Sequence, residues 1–449
     1  MKIDIPDFIE IRGGRPLADD AQVRVSGAKN EVLGAMCAAL LTDQPVIFNN
    51  VPFITDVVDM VEIFRAIGAS VDYAPEKNRI EIRAEKITTN QLPDQALNFR
   101  ASYYIWGALL ARFKKTGEWG SLRIKIPGGC AFGGARAINF HIDLLDNIFG
   151  AKLTETAEAL EFVLPDNFDG ALRPIYSTPK TSHGATFHWM LAAALSPDIK
   201  MIYNASLEHE VPHLLGILNQ MGANIRGTNT TAITNLGFGG RLLGGGEFDI
   251  MPDRMEAGFY TLLALALRSK IKIIGADLAS SRPWFNSIVE IAGADRCVAR
   301  GEIMYFDFTD LPPFLGRTMI TSPIPGKETD MQQCWTPVLA QATDESLIFD
   351  PIYPGRVGHL PELKKFGIET DFSEVEIENP LTPKAAKIIV RPSRIHAANA
   401  TGMDLRGTAA LIIAAAVAEG QSRIDLPKFA LRGYPNLIGN LKKLGVEIC

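Results

Sequence analysis

The sequence predicts an α/β protein of two inside-out domains, each made of three repeats with buried helices and outer sheets. Three observations predict this. A helix–glycine–strand unit recurs six times, a second class of helix is apolar on nearly every side, and a glycine-rich run falls between the third and fourth repeats.

The recurring unit reads IFRAIGASV, LLDNIFGAKL, ILNQMGANI, IVEIAGADRCV, LKKFGIETDF and LKKLGVEI. Its glycines are Gly68, Gly150, Gly222, Gly293, Gly367 and Gly445, at intervals of 82, 72, 71, 74 and 78 residues. Apolar residues before each glycine keep helical spacing, and those after it alternate as on a strand. A glycine at this junction suits a helix C-terminus, where the chain passes through a left-handed conformation that a Cβ disfavours. Solenoid repeats run to about 20–45 residues. The longer units here therefore favour two globular domains of three repeats over a solenoid.

The second signature is an Ala/Leu-rich helix, a polar turn and a strand, as in MCAALLTDQPVIFNN, MLAAALSPDIKMIYN, LLALALRSKIKIIG and IIAAAVAEGQSRID. A helix without a polar face belongs inside a domain. The strands are then left on the outside. The run LLGGGEFDIMPD (residues 242–253) marks the boundary. The first domain is expected to cover residues 29–251, and the second residues 1–28 and 252–449. Strand-like residues 10–12 and 23–25 would pair with the C-terminal half, so the chain would cross between domains twice and form a hinge.

Composition narrows the function classes. The chain has 449 residues, 47% hydrophobic and 21% charged, which is ordinary globular usage. A net charge of −6 argues against nonspecific nucleic-acid binding. Five cysteines, odd in number and without a CxxC pair, fit neither a disulfide framework nor a zinc cluster. The N-terminus lacks the basic start and apolar run of a signal peptide, and the longest apolar stretch, residues 409–418, is too short to span a bilayer. A cytoplasmic protein without membrane partners is expected. The seven histidines form no HExxH pattern; His209 and His213 are four apart, but Pro212 lies between them and no third ligand is evident. No phosphate-binding GxxxxGK[ST] or dinucleotide GxGxxG motif opens a helix.

The residues that could carry chemistry gather in short loops. Pro127, Gly128, Gly129, Cys130, Ala131, Phe132, Gly133, Gly134, Ala135 and Arg136 place four glycines around one cysteine, with a cation close by. A thiol in such a place can be exposed and acidified, as a nucleophile or general acid requires. Lys29, in Ser-Gly-Ala-Lys-Asn, opens a helix beside Asn30, an arrangement suited to an anion. Arg100, Lys180, Arg406 and Arg432 stand at strand-to-helix junctions of other repeats, and equivalent placement would converge them on small polyanions. Asp330 precedes a helix and could cap it. Asp253 and Arg254 read as a local ion pair, and Glu208 and Glu210 as caps of the following helix.

Together these residues resemble the enolpyruvyl transferase family. The motifs are SGAKN (residues 26–30), FRASYY (99–104), PGGC with GAR (127–136), PDR (252–254), TDMQ (329–332), GRVGHLPEL (355–363), MDLRG (403–407) and RGY (432–434). They run in order from residue 23 to the C-terminus, and the loop signatures of the shikimate-pathway branch are absent. The resemblance implies two domains that close by induced fit around phosphoenolpyruvate and a uridine nucleotide sugar, with no metal or organic cofactor. It implies transfer of the enolpyruvyl group to the 3-hydroxyl of UDP-N-acetylglucosamine with release of phosphate, a step of peptidoglycan precursor synthesis. Cys130 would be the general acid, and Asp330 would take the acceptor proton, with Lys29 and Arg432 also catalytic. Lys29, Asn30, Arg136, Arg356, Arg406 and Arg432 would bind phosphoenolpyruvate. Asn30, Arg100, Arg136, Ala137, Ile138, Asn139, Phe140, Lys180, Ser182, His183, Gly184, Asp330 and Ile352 would face the nucleotide sugar.

Departures from the family pattern lie on the acceptor side. Five residues separate Cys130 from Arg136, one more than the family loop usually has. Ala137 stands where proline is usual, Asn139 replaces an aspartate, His183 replaces a small apolar residue, and Phe429 replaces a histidine. Two alternatives therefore stand beside the lead. One is transfer to another uridine nucleotide, such as the 3′-hydroxyl of UMP. The other is a non-catalytic nucleotide-sugar binder, against which the joint presence of Cys130, Asp330 and Lys29 argues.

Overall fold

In a computed structural model the chain forms two compact units, one of Gly27–Met251 and one of Ile3–Ser26 with Pro252–Cys449. The structure describes residues 3, 5–97, 100–125, 139–155, 159–167, 173–378, 383–427 and 432–449. Six four-stranded sheets are found among the described residues, three in each unit. All six share one topology. An edge strand lies parallel to the second strand, which is antiparallel to the third, which is antiparallel to the fourth.

The repeats of the first unit carry α1 (Lys29–Ala38) and α2 (Thr55–Ala66), α3 (Tyr103–Thr116) and α4 (Asn139–Phe149), and α5 (His183–Ala193) and α6 (Glu210–Gln220). Those of the second carry α7 (Arg254–Ala266) and α8 (Leu278–Ala292), α9 (Gln332–Leu339) and α10 (His359–Lys365), and α11 (Leu405–Val417) and α12 (Leu437–Lys443). The first helix of each pair is the central one. Helices α1, α3 and α5 pack on one another, as do α7, α9 and α11. All 13 residues of α7 are buried. Parallel strands need a crossover, and here the crossover helix is the buried one. The fold is thus the inside-out α/β arrangement that the apolar helices imply.

The six repeat glycines all have positive φ, between 64° and 107°. They end the second helix of each repeat and let the chain reverse into the antiparallel pair.

Within each unit, strands far apart in sequence pair with one another. Gly246–Asp249 lies parallel to Val46–Asn49 and completes the first sheet, with Phe248 against Phe48 at 6.0 Å. The glycine-rich run is therefore a sheet edge rather than a linker, because the alternation around Phe248 gives it an apolar side to bury. Phe8–Gly13 sits between Gly420–Asp425 and Glu447–Ile448, and Gln22–Arg24 lies parallel to Lys270–Ile274. The second unit is thus closed by the N-terminal strands.

Candidate active site

In the first unit, Lys29 is the first residue of α1. The turn before it needs glycine, since a Cβ on Gly27 would run into the backbone carbonyl of Asn50. Lys29 Nζ lies 3.2 Å from Oδ2 of Asp56, a buried carboxylate on α2 that sequence reasoning missed. Asn30 follows on the same turn, half-buried. Next to it Glu31 is buried, accepts from the Met251 N–H at 2.7 Å and pairs with His213 Nδ1. The hydrogen bond to Glu31 raises the His213 pKa. Among the described residues no group of three or more His, Cys, Asp or Glu could hold a metal ion.

Several residues expected to face the nucleotide sugar come together at the starts of α4 and α5. Asn139 and Phe140 open α4, and the Phe140 carbonyl accepts from the Tyr176 hydroxyl at 2.9 Å. Lys180 is exposed near the end of strand Ile175–Ser182. Ser182 caps α5, its Oγ accepting from the Ala185 N–H at 3.2 Å. His183 packs on Phe187, with ring centroids 4.2 Å apart. A Cβ on Gly184 would meet the Tyr103 hydroxyl. Beneath these groups Tyr103 stacks on His141 at 3.6 Å, and His141 Nδ1 lies 3.0 Å from His188 Nδ1. Burial pushes His188 down to about 3, so that ring is neutral at physiological pH. The aromatic stack was not read from sequence, because Tyr103, His141 and His188 belong to three separate helices. Cys130, Arg136, Ala137 and Ile138 lie outside the described residues, as does Phe429. Arg100 opens the short turn Arg100–Ser102 before α3.

In the second unit, Asp330 is drawn to cations rather than to a helix. Its Oδ1 lies 2.6 Å from Arg356 Nη1 and its Oδ2 3.4 Å from Arg406 Nη2. Helix α9 starts two residues later, with no side-chain cap. The expectation of an N-cap is thus replaced by an ion-pair role, since two guanidiniums outcompete the helix amides for the carboxylate. Arg356 and Arg406 are 13% and 7% exposed at their side chains, so water screens these pairs only weakly. Burial works against both charges, yet Asp330 beside Arg356, and Tyr434 with Asp330 beside Arg406, raise their pKa values.

Neighbouring groups hold this cluster. Arg406 Nη1 donates to the Tyr434 hydroxyl at 2.8 Å, and the guanidinium sits 5.3 Å from the centre of that ring. Asp404 caps α11, accepting from the N–H groups of Arg406 and Gly407, both at 2.9 Å. Ile352 lies in the turn after strand Ser346–Asp350, and its N–H donates to Asp350 Oδ1 at 2.9 Å. Arg432 is half-buried two residues before Tyr434.

Two local readings give way to wider ones. Asp253 does more than stand beside Arg254. It caps α7 by accepting from Met255 and Glu256, while Arg254 reaches Glu328 at 2.6 Å. Neither Glu208 nor Glu210 holds the cap position of α6, which is His209 and makes no side-chain capping bond; Glu210 is buried in the first turn. For Arg254 a partner 74 residues away, Glu328, stands where sequence spacing suggests only a local one.

The family described as EPSP synthase (3-phosphoshikimate 1-carboxyvinyltransferase) matches residues 12–441. A protein named UDP-N-acetylglucosamine 1-carboxyvinyltransferase 2, from Streptococcus thermophilus, is 35% identical over 443 residues, covering 98% of each chain. One named UDP-N-acetylglucosamine 1-carboxyvinyltransferase 1, from Streptococcus agalactiae, is 33% identical, again over 98% of each chain. Among solved structures, the enolpyruvyl transferase NikO from Streptomyces tendae aligns with a TM-score of 0.82 at 22% identity over 98% of each chain. EPSP synthase from Acinetobacter baumannii aligns with a TM-score of 0.66 at 13% identity, over 98% of this chain and 99% of the other. These two likenesses concern the fold.

Proposed function

The chain belongs to the EPSP synthase family of enolpyruvyl transferases, and from that premise we propose that its acceptor is the 3-hydroxyl of UDP-N-acetylglucosamine. The observation that carries this reading is the identity of 33–35%, over 98% of both chains, to relatives that bear this acceptor in their names. Peptidoglycan precursor synthesis is then the process served, in the cytoplasm. No helix among the described residues is long and apolar enough to cross a membrane.

The reaction adds the acceptor oxygen to C2 of phosphoenolpyruvate while C3 gains a proton. Loss of a C3 proton with expulsion of phosphate then restores the double bond. On this reading Cys130 supplies the proton to C3, and Asp330 takes the proton of the attacking hydroxyl. Arg356 and Arg406 serve two purposes: they orient the Asp330 carboxylate and they offer N–H donors to the phosphoenolpyruvate anion. Lys29, Asn30, Arg136 and Arg432 complete the anion site. Arg100, residues 137–140, Lys180, Ser182, His183, Gly184 and Ile352 bound the nucleotide sugar. Asn30, Arg136 and Asp330 serve both substrates.

A second reading, transfer to the 3′-hydroxyl of UMP or another uridine nucleotide, is favoured by Ala137, Asn139 and His183, which depart from the family pattern on the acceptor side. One experiment separates the two: phosphate release from phosphoenolpyruvate with UDP-N-acetylglucosamine, UMP or shikimate 3-phosphate as acceptor. Release with the first alone supports the lead, and release with UMP alone replaces it.

A further inference from the structure

We propose that Asp350 is a positioning residue for enolpyruvyl transfer, acting through the Thr329 hydroxyl on the Arg356–Asp330 pair and through two backbone amides on the turn that carries Ile352. The proposal rests on the reading of Asp330 as the base.

Asp350 ends strand Ser346–Asp350 and is fully buried. Its Oδ1 accepts from Thr321 Oγ1 at 2.7 Å and from the N–H groups of Ile352 and Tyr353, each at 2.9 Å. Its Oδ2 accepts from Thr329 Oγ1 at 2.7 Å. An ionised carboxylate has about four acceptor directions, and four donors are present. Closing the turn after the strand needs only the bonds to Oδ1. The bond to Oδ2 does something else, because it reaches the residue next to Asp330.

That bond also has a direction. A buried carboxylate can only accept, so Thr329 donates its proton to Asp350 and turns a lone pair outward. Arg356 Nη1 lies 3.4 Å from that oxygen and 2.6 Å from Asp330 Oδ1. The chain of donors therefore runs from Arg356 to Thr329 to Asp350. It fixes the guanidinium from behind while the same nitrogen holds Asp330 in front. The Asp350 charge also favours the protonated Arg356. An asparagine at position 350 would place either an amide or a carbonyl toward Thr329. With the amide there, the hydroxyl must reverse and present its proton to Arg356, a donor facing a donor.

The test compares Thr329→Val, Thr329→Ser, Asp350→Asn and Asp330→Asn. Phosphate release is followed with whichever of UDP-N-acetylglucosamine and UMP supports turnover in the unaltered protein. Thr329→Val keeps the side-chain shape and removes the hydroxyl. It is expected to lower kcat by roughly tenfold to a hundredfold, the cost of a slightly misplaced group, with a smaller rise in KM for phosphoenolpyruvate, because Arg356 keeps its bond to Asp330. Thr329→Ser restores the hydroxyl and is expected to restore most of kcat. Asp350→Asn should fall with Thr329→Val; if it fails to fold, the threonine pair still decides. Wild-type kcat in Thr329→Val, or equal loss in Thr329→Ser and Thr329→Val, overturns the proposal while an inactive Asp330→Asn leaves the reading of Asp330 intact. Undiminished turnover in Asp330→Asn removes that reading and the proposal with it.

Discussion

Arg356 donates from Nη1 to Oδ1 of Asp330 at 2.6 Å, a short charge-assisted bond between two groups separated by 26 residues in sequence. Such bonds are roughly twice as strong as neutral ones, and Arg406 meets the other oxygen at 3.4 Å. The carboxylate is therefore oriented before substrate arrives. Asp330→Asn keeps the volume and removes the proton acceptor. It is expected to lower kcat by about 10²–10⁴, the usual worth of general base catalysis, while the nucleotide sugar still binds in calorimetric titration. Surviving turnover would place the base elsewhere.

Tyr434 is the acceptor for the buried Arg406 Nη1 at 2.8 Å. Tyr434→Phe keeps the ring beneath the guanidinium and removes only the oxygen. A buried charged donor left without its acceptor costs about 1–3 kcal/mol, and a urea titration should show a loss of that size. The KM for phosphoenolpyruvate should rise as Arg406 loses its anchor. An unchanged denaturation midpoint would mean that another acceptor replaces the hydroxyl.

Much of this architecture was legible in the sequence, and the reason is local. The six repeat glycines need positive φ whatever surrounds them, and helices such as α11 announce burial by having no polar face. Helix α9 was not legible in the same way. It has eight residues, an internal Pro337, and Gln332 and Gln333 in its first turn, yet it is a central helix. Its apolar signal is too short for periodicity to show. The site divides along the same line. Asp330 and Arg406 could be picked out from their motifs, whereas Asp350, Asp56 and Tyr434 matter through partners far away in sequence. An aspartate after a strand reads as a turn residue, and only the four donors around Asp350 show more.

Gly184 stands where the start of α5 comes against Tyr103. Gly184→Ala would push a methyl group into the Tyr103 hydroxyl, and with it the stack on His141. Overpacking of this kind costs about 1–3 kcal/mol. Part of that cost should fall on the nucleotide sugar, so its KM is expected to rise about tenfold while the KM for phosphoenolpyruvate stays level. Equal changes in both would indicate a general loss of the fold, which a thermal melt would reveal.

Cys130 is a candidate on its motif alone, four glycines and Arg136 within ten residues. Cys130→Ser puts a slightly smaller hydroxyl in place of the thiol and removes an easily ionised proton. It is expected to lower kcat by about 10²–10⁴ with nucleotide binding retained. A small electrophilic epoxide carrying a phosphonate should add once to the native chain, as intact mass would show, and not to Cys130→Ser. Three of the other cysteines, Cys37, Cys297 and Cys334, are buried. Adduct at the exposed Cys449 would survive the substitution and is thereby distinguished.

Glu256 gives the fold a pH dependence whose sign can be worked out. The carboxyl is buried on α7, and burial pushes it from the ordinary 4.5 up to about 8. Two bonds from Ser26, the N–H at 2.8 Å and the hydroxyl at 2.5 Å, both reach Oε2 and favour the anion, but they do not offset the loss of water. Between pH 4.5 and about 8 the folded chain keeps a proton that the unfolded chain has released. Stability therefore falls as pH rises through that window, by at most about 1.4 kcal/mol per pH unit for one group. Above it both states are ionised and the slope ends. Glu256→Gln removes the titration and keeps an acceptor for Ser26. Relative to Glu256→Gln, the native chain should lose melting temperature steadily from about pH 5 to about pH 8 and then hold level. A difference that stays constant across the range would mean that Glu256 titrates alike in the folded and unfolded chains.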